Sequence, residues 1–310
     1  MTTKLSIIVP CHNEEETVDL FYAAIKKTFK DLPNYTPSIL FVNDGSTDKT
    51  LEKLRALNKR TDVDNHYISF SRQFGKESGM YAGLKNVDGD LVTIMDSDLQ
   101  DPPEMLKQMV HLLETTDYDC IGTRRMDRSG EPPVRSFFSN MFYKIINKMS
   151  DTEIVPGARD FRLMRRNMVD AILHMTEYNR FSKGIFSWVG FKTKYLPYKN
   201  VERVAGTSSW SFWSLFKYSI DGITDFSTVP LIVSAWLGGF IMVIAFIALI
   251  YIIISTLMHG NPTSGWASMV SILLFFGGMQ LFFMGVIGNY IGKIFMEVKN
   301  RPIYIIKEKR

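Results

Sequence analysis

Along the first part of the chain, short runs of apolar and β-branched residues alternate with longer stretches whose apolar residues recur at helical spacing. Leu5–Val9, Ile39–Val42, Tyr67–Phe70, Leu91–Met95 and Asp119–Ile121 read as strands, and Glu15–Phe29, Thr47–Leu57, Lys76–Val87 and Pro103–Leu113 as helices. The order βαβαβαβαβ predicts an α/β domain with a mostly parallel sheet. Such sheets bind ligands beyond the carboxyl ends of their strands. The polar clusters Pro10–Glu16, Asn43–Asp48, Ser71–Lys76 and Asp96–Asp101 all follow strands. No G-x-G-x-x-G follows a strand, which argues against a dinucleotide-binding dehydrogenase. After the polar loop Gly122–Pro133, Val134–Met149 resumes helical spacing and sets Arg135 and Ser139 on one face.

The pattern then changes. Between Asp225 and Lys293 there is no Asp, Glu, Lys or Arg. Pro230–Met258 and Trp266–Ile291 each exceed the roughly 20 residues that cross a hydrocarbon core about 30 Å thick. The short connector His259–Gly265 carries turn residues, so the two runs read as a transmembrane hairpin. Lys and Arg flank its ends and are missing from the connector, which predicts that both ends face the cytosol. Ahead of the hairpin, Trp210, Trp213, Phe216, Ile220 and Ile223 line one helical face and Ser211, Ser214, Lys217 and Asp221 the other, as in an interfacial helix. Gly288 and Gly292 form a G-x-x-x-G that allows close helix packing.

Past Pro302, Ile303–Ile306 is a short β-prone run. Its backbone needs a sheet edge, on the same domain or on a neighbouring subunit, and a homo-oligomer is expected from it. The expected organisation is a cytosolic domain over 1–207, a juxtamembrane amphipathic helix over 208–227, spans over 228–258 and 266–292 joined by an outer loop 259–265, and a cytosolic helix and strand over 293–310.

Composition adjusts this picture little. The chain has 310 residues, 46% of them hydrophobic, and a net charge of +4 that suits a membrane surface or phosphorylated substrates and makes no case for nucleic acid. Cys11 and Cys120 are the only cysteines, too few for a disulfide framework. Met1–Lys4 runs straight into an apolar strand without the h-region of a signal peptide, so the large domain is expected to stay inside.

Candidate chemistry concentrates at the strand ends. Asp96 and Asp98 close the strand Leu91–Met95, and carboxylates two apart on an extended backbone point the same way. Together they can hold one hard cation, with substrate phosphates completing its sphere. The competing reading is a turn ahead of Pro102-Pro103, but the second polar cluster at the same edge favours the cation. Asp44 can accept from a ribose hydroxyl or base imide, or serve as a turn Asp before Gly45. Ser46 or Thr47 is expected to cap the next helix. Asn13 and Glu16 fit a capping box, which leaves Glu14 without a structural explanation.

The stretches IIVPCHNEEE, FVNDGSTDKT, SRQFGKE and MDSDLQDPPE, in that order and spacing, resemble the donor-binding half of family 2 inverting glycosyltransferases. The likeness is closest to polyprenyl-phosphate glycosyltransferases, among them bactoprenol glucosyltransferases and dolichol-phosphate mannose synthases, and it covers essentially the whole chain. It implies a GT-A, Rossmann-like nucleotide-sugar-binding domain and Mg²⁺ or Mn²⁺ held by Asp96 and Asp98 with help from Gln100. It implies a donor site of Asp44, Pro10 and Glu14 beside the two metal carboxylates. Arg124 resembles the family's phosphate-facing arginine, Arg135 and Ser139 its acceptor-phosphate site, and Arg203, ahead of Gly206-Thr207-Ser208, the last basic residue of that site. Guanidinium forks suit phosphate oxygens.

Asp160 falls where the family has a carboxylate on the acceptor side. A phosphate acceptor is already ionised near neutral pH, so positioning is favoured over proton abstraction. A structural ion pair with Arg159, Arg162 or Arg165 is the other reading. The implied reaction is inverting, metal-dependent transfer of a sugar, with glucose from UDP-glucose the family's most frequent pairing, to undecaprenyl phosphate at the cytosolic membrane face. A processive polysaccharide synthase would carry Q-x-x-R-W and more spans, and a non-catalytic nucleotide-binding scaffold would have lost Asp96, Asp98 or the arginines. Neither description fits the residues present.

Overall fold

Strand β1 (Thr3–Cys11) is apolar on both faces, Leu5, Ile7 and Val9 packing one way and Ile8 the other, as in a strand covered on both sides. The computed structural model describes residues 2–125, 141, 143–144, 146–149, 152–198, 220–259 and 265–310. In it β1 lies between β2 (Tyr35–Asn43) and β4 (Leu91–Ile94), parallel to both, and β3 (Asp64–Phe70) continues the parallel run beyond β2. Helices α1 (Val18–Phe29), α2 (Thr50–Leu57) and α4 (Met105–Thr115) cover one face, and α3 (Lys76–Asn86) the other. Each fully buried Ile or Leu in these layers contributes about 1.5–3 kcal/mol. Helix α3 sits so close to β1 that a Cβ on Gly83 would lie 2.1 Å from Ile8. Only glycine fits there.

Among the described residues the sheet has eight strands in the order β7-β5-β6-β4-β1-β2-β3-β8. The five strands read from the sequence correspond to β1 to β5, the last being Cys120–Arg125. Strand β6 (Ala158–Arg165) is antiparallel to β4 and β5, and β7 (Thr193–Tyr198) runs parallel to β5 at the far edge. Helices α5 (Arg166–His174) and α6 (Ser182–Trp188) join α3 on its face of the sheet. In the region of the Val134–Met149 stretch, residues 141, 143–144 and 146–149 are helical. Arg135, Ser139, Arg203 and Trp210 to Phe216 lie outside the described residues.

Two long helices follow, α7 (Val229–His259) and α8 (Trp266–Val298). Val229–Ile252 and Phe275–Val298 are long and apolar enough to cross a membrane, with mean hydropathy 2.5 and 1.4 and none of their residues buried in the protein. Helix α8 runs unbroken past Gly292 to Val298, so the charged segment expected as a separate element forms its last turns. Residues 220–226 are helical and are tied to α8 by Lys293, whose Nζ lies 2.6 Å from Asp225 Oδ1 and donates to the Asp221 carbonyl at 3.0 Å. The main chain of Tyr178 donates to Glu297 Oε1 at 2.8 Å, a second tie between domain and helix.

Asn300, in the left-handed region at φ 46°, turns the chain back toward the sheet. Tyr304 stacks on Phe70 with ring centroids 5.1 Å apart. Strand β8 (Ile306–Lys309), three residues later than the sequence suggests, then pairs antiparallel with β3. The edge it fills belongs to its own chain. The expectation of an oligomer clasped by this strand therefore loses the argument that carried it.

Candidate active site

The loops after β1 and β2 satisfy one another's backbone. Asn13 Oδ1 accepts the Thr47 N–H (2.8 Å), Asp48 Oδ2 that of Glu15 (3.1 Å), Thr50 Oγ1 that of Glu14 (2.8 Å) and Glu15 Oε2 that of Lys49 (2.9 Å). The capping expectations are corrected accordingly. Helix α1 begins at Val18 with no side-chain cap, Asn13 stands in the left-handed region at φ 56°, and Glu16 is exposed. Helix α2 begins at Thr50, whose N–H is taken by Asp48, and Ser46 and Thr47 are turned toward Asn13. Apart from the local Asp48–Thr50 bond, the loop partners come from the other loop, which no local sequence window can show.

Asp44 is buried and fully engaged. Its carboxylate accepts the backbone N–H groups of Phe74 (2.6 Å) and Gly75 (2.8 Å), and its own N–H donates to the Cys11 carbonyl (2.8 Å). Gly45, at φ +63°, lies under the same loop, where a Cβ would come within 2.5 Å of the Arg72 and Gln73 main chain. The Asn-Asp-Gly turn thus clamps the loop that opens α3. Pro10 is half-buried in β1 opposite Val42.

The loop after β4 gathers the other candidates. Asp98 is buried and takes the Gln100 N–H on Oδ1 at 3.1 Å, with Leu99 between them at φ 57°. Glu14 accepts from Thr17 Oγ1 at 2.6 Å, and Thr17 lies 3.0 Å from Ser97 Oγ. Burial pushes the Glu14 carboxyl above the usual carboxylate range, and the nearby negative charges of Asp98 and Asp96 add to the rise. The residue left unexplained by capping therefore shares one field with the D-x-D pair.

Asp160 reaches this group through sheet register. Ile94 pairs with Arg162 across β4 and β6, Asp96 and Asp160 each lie two residues beyond that pair, and one side chain bonds both carboxylates. None of the three expected arginines forms the ion pair with it. Arg159 turns to Asp101 (Nε to Oδ1, 3.4 Å), Arg162 is buried over the Phe186 ring at 3.6 Å, and Arg165 donates to main-chain carbonyls. The partner is Lys76, the first residue of α3, whose Nζ lies 2.8 and 2.9 Å from the two Asp96 oxygens and 2.8 Å from Asp160 Oδ2. Burial opposes the Asp160 charge, but Lys76 and then Lys183 outweigh it and hold the carboxyl well below the usual range. Lys76 is in turn held protonated by Asp160 and Asp96 against its own burial.

Sequence reasoning missed Lys76. It stood within SRQFGKE as a polar residue at a helix start on the ligand edge, and that was the available signal. Arg124, at the end of β5 and exposed, pairs in register with Ala158, two residues from Asp160, so it belongs to the same rim. Behind the rim Asp101 is buried, accepts from Tyr198 Oη at 2.5 Å and titrates above its usual range, chiefly from burial. It braces the loop.

Among the described residues no three or more His, Cys, Asp or Glu side chains form a ready cage for a metal. The donor chemistry nonetheless fits a hard cation: Asp96 and Asp98 offer oxygens only, and an ammonium already sits on Asp96. The profile of glycosyl transferase family 2 matches residues 6–173.

The chain belongs to glycosyl transferase family 2. The putative glycosyltransferase CsbB of Bacillus subtilis (strain 168) is 44% identical over 304 residues, spanning 98% of this chain and 91% of its own. The SfII prophage-derived bactoprenol glucosyl transferase of Shigella flexneri is 42% identical over 305 residues, 98% of each chain. The prophage bactoprenol glucosyl transferase homolog of Escherichia coli (strain K12) is 40% identical over 304 residues, again 98% of each. The family 2 domain here is a GT-A-like α/β fold, and the chain is a glycosyltransferase.

Proposed function

We propose that this glycosyltransferase moves glucose from UDP-glucose to the phosphate of a polyprenyl carrier, undecaprenyl phosphate, at the cytosolic face of the cell membrane. The observation that carries the reading is end-to-end similarity to relatives named bactoprenol glucosyl transferase, which extends through the apolar helices as well as the family 2 domain. The helices support it further: Trp236 is 77% exposed and Leu257 81%, a surface that only an apolar solvent stabilises. In this reading α7 and α8 span the membrane, both termini are cytosolic, and residues 1–207 form the catalytic domain.

The residues divide the work as follows. Asp96 and Asp98, with Gln100, would hold Mg²⁺ or Mn²⁺, which when bound neutralises charge on the leaving diphosphate. Pro10, Glu14 and the Asp44 turn shape the donor side. Arg124, with Arg135, Ser139 and Arg203, would bind the acceptor phosphate. An oxygen of that phosphate attacks the anomeric carbon as the bond to the UDP β-phosphate breaks, so configuration inverts and UDP departs with the bonding pair. The nucleophile is already anionic and gives up no proton. Asp160, held ionised by Lys76, fits a positioning role.

The test is transfer of labelled glucose from UDP-glucose to undecaprenyl phosphate by the purified chain. Asp96→Asn and Asp98→Asn should each lower the rate at least about a hundredfold, the equivalent of several kcal/mol of lost charge stabilisation, with the thermal melt retained. Full activity of either variant in chelator, or no glucose transfer by the unaltered chain, would overturn the reading.

A further inference from the structure

We infer that Lys76 is a resident cation of the active site, one whose ammonium holds Asp96 and Asp160 together and competes with the divalent metal for Asp96. The inference rests on the assignment of Asp96 and Asp98 as metal ligands. It concerns a residue to which neither that assignment nor the motif reading gives a task.

The geometry is specific to an ammonium. Lysine offers three N–H donors and no acceptor, and here three carboxylate oxygens lie within 2.9 Å of Nζ, two from Asp96 and one from Asp160. The shared contact with one Nζ brings those two carboxylates close, where without a cation they would repel. Side-chain exposures of 34% for Lys76, 26% for Asp96 and 20% for Asp160 leave the cluster open to an incoming ion. Both oxygens of Asp96 are turned to the ammonium, so a metal taking either one must share it or displace Lys76. Lysine suits this exchange, being a compact charge on a flexible four-carbon stem, where a rigid guanidinium fork would hold its geometry.

The backbone from which Lys76 springs is, by contrast, fixed. Asp44 grips the N–H groups of Phe74 and Gly75, Gly45 lets that loop lie against the turn after β2, and Gly75 at φ 97° swings the chain into α3. One turn into the helix Gly79 passes the Pro10 side chain, where a Cβ would lie at 3.5 Å, and one turn later Gly83 meets Ile8. The Asn-Asp-Gly turn thus delivers Lys76 to the carboxylates after β4 and near the start of β6. The root is held and the tip is free to move.

The exchange predicts an effect opposite to that of ordinary damage. Mn²⁺ binding to the detergent-solubilised full chain, without donor, can be followed by the electron paramagnetic resonance of free Mn²⁺. Lys76→Met should bind Mn²⁺ on the order of tenfold more tightly than the unaltered chain, because a positive charge has left the site. Lys76→Arg, which keeps the charge, should stay much nearer the unaltered affinity. Where Lys76→Met fails to fold, Lys76→Gln keeps a donor to the carboxylates, loses only the charge, and should show the same tightening. Unchanged or weaker Mn²⁺ binding in the folded neutral variant would overturn the inference, since a merely structural lysine gives that result. Equal Mn²⁺ binding by Asp96→Asn and the unaltered chain would overturn the metal assignment itself, a distinct failure.

Discussion

The loops after β1 and β2 and the loops around β4 and β6 both crowd carboxylates onto the same edge of the sheet, and they satisfy them in opposite ways. In the first region Asp44, Asp48 and Glu15 all accept main-chain N–H groups, partners that cannot leave without unfolding the loop. In the second, Asp96 and Asp160 share the tip of one side chain. Asp44, Asp48 and Glu15 are architecture, whereas the charges of Asp96 and Asp160, met by a movable side chain, are available to a ligand. Which class Asp44, Asp96 or Asp160 belongs to depends on partners that lie 20 to 84 residues away.

The contrast can be broken from the architectural side. Gly45→Ala should have the largest effect, about 2–4 kcal/mol of stability, because it combines a left-handed φ with a Cβ driven into the Arg72–Gln73 main chain. Thermal unfolding of the solubilised chain measures it, and a melt within a degree of the unaltered protein would show that the loop is not clamped. Asp48→Ala should cost about 1–2 kcal/mol through the lost cap on Thr50 and the freed Glu15 N–H, with Mn²⁺ affinity unchanged. A shift in metal affinity without loss of stability would place Asp48 with the second class.

The smallest effect concerns Glu308 on β8, whose carboxyl Arg55 and Tyr67 hold at about 2, from an ordinary value near 4.5. A depressed carboxyl stabilises fully above its unfolded value and loses that contribution as pH falls through the folded one. Exchange protection of the paired amides of Tyr67 and Arg310 should therefore weaken as pH drops from about 4.5 toward 2. Glu308→Gln should abolish that dependence, and an unchanged profile in this variant would detach the pair from strand docking.

How much of this was readable from the chain follows from where the partners lie. Strands β1 to β4 and their helices were legible because buried parallel strands are continuous apolar runs and the helices keep their spacing. Strand β6 was not, since Arg159, Asp160, Arg162 and Arg165 break any apolar run, and β7 hides behind a lysine and a proline at the edge of the sheet. At the site, Asp96, Asp98 and Asp160 were marked by the family resemblance. What Asp160 pairs with could not be read, because three arginines stand within five residues of it and the actual partner is 84 positions upstream. Asp44 was legible as important, while its hold on the loop ahead of α3 appears only once that loop is in place.

Strand β8 gives the molecule a chronology. Tyr67 and Glu308 are 241 positions apart, and both apolar helices lie between them. A ribosome releases β3 long before β8, so the sheet stands with one bare edge while the two long apolar helices are being made. The enzyme domain is sealed last, by a segment that reaches it only after α7 and α8 have been synthesised. A chain cut short before β8 is thereby left with an unpaired strand on display, a mark that proteases and chaperones recognise in unfinished proteins.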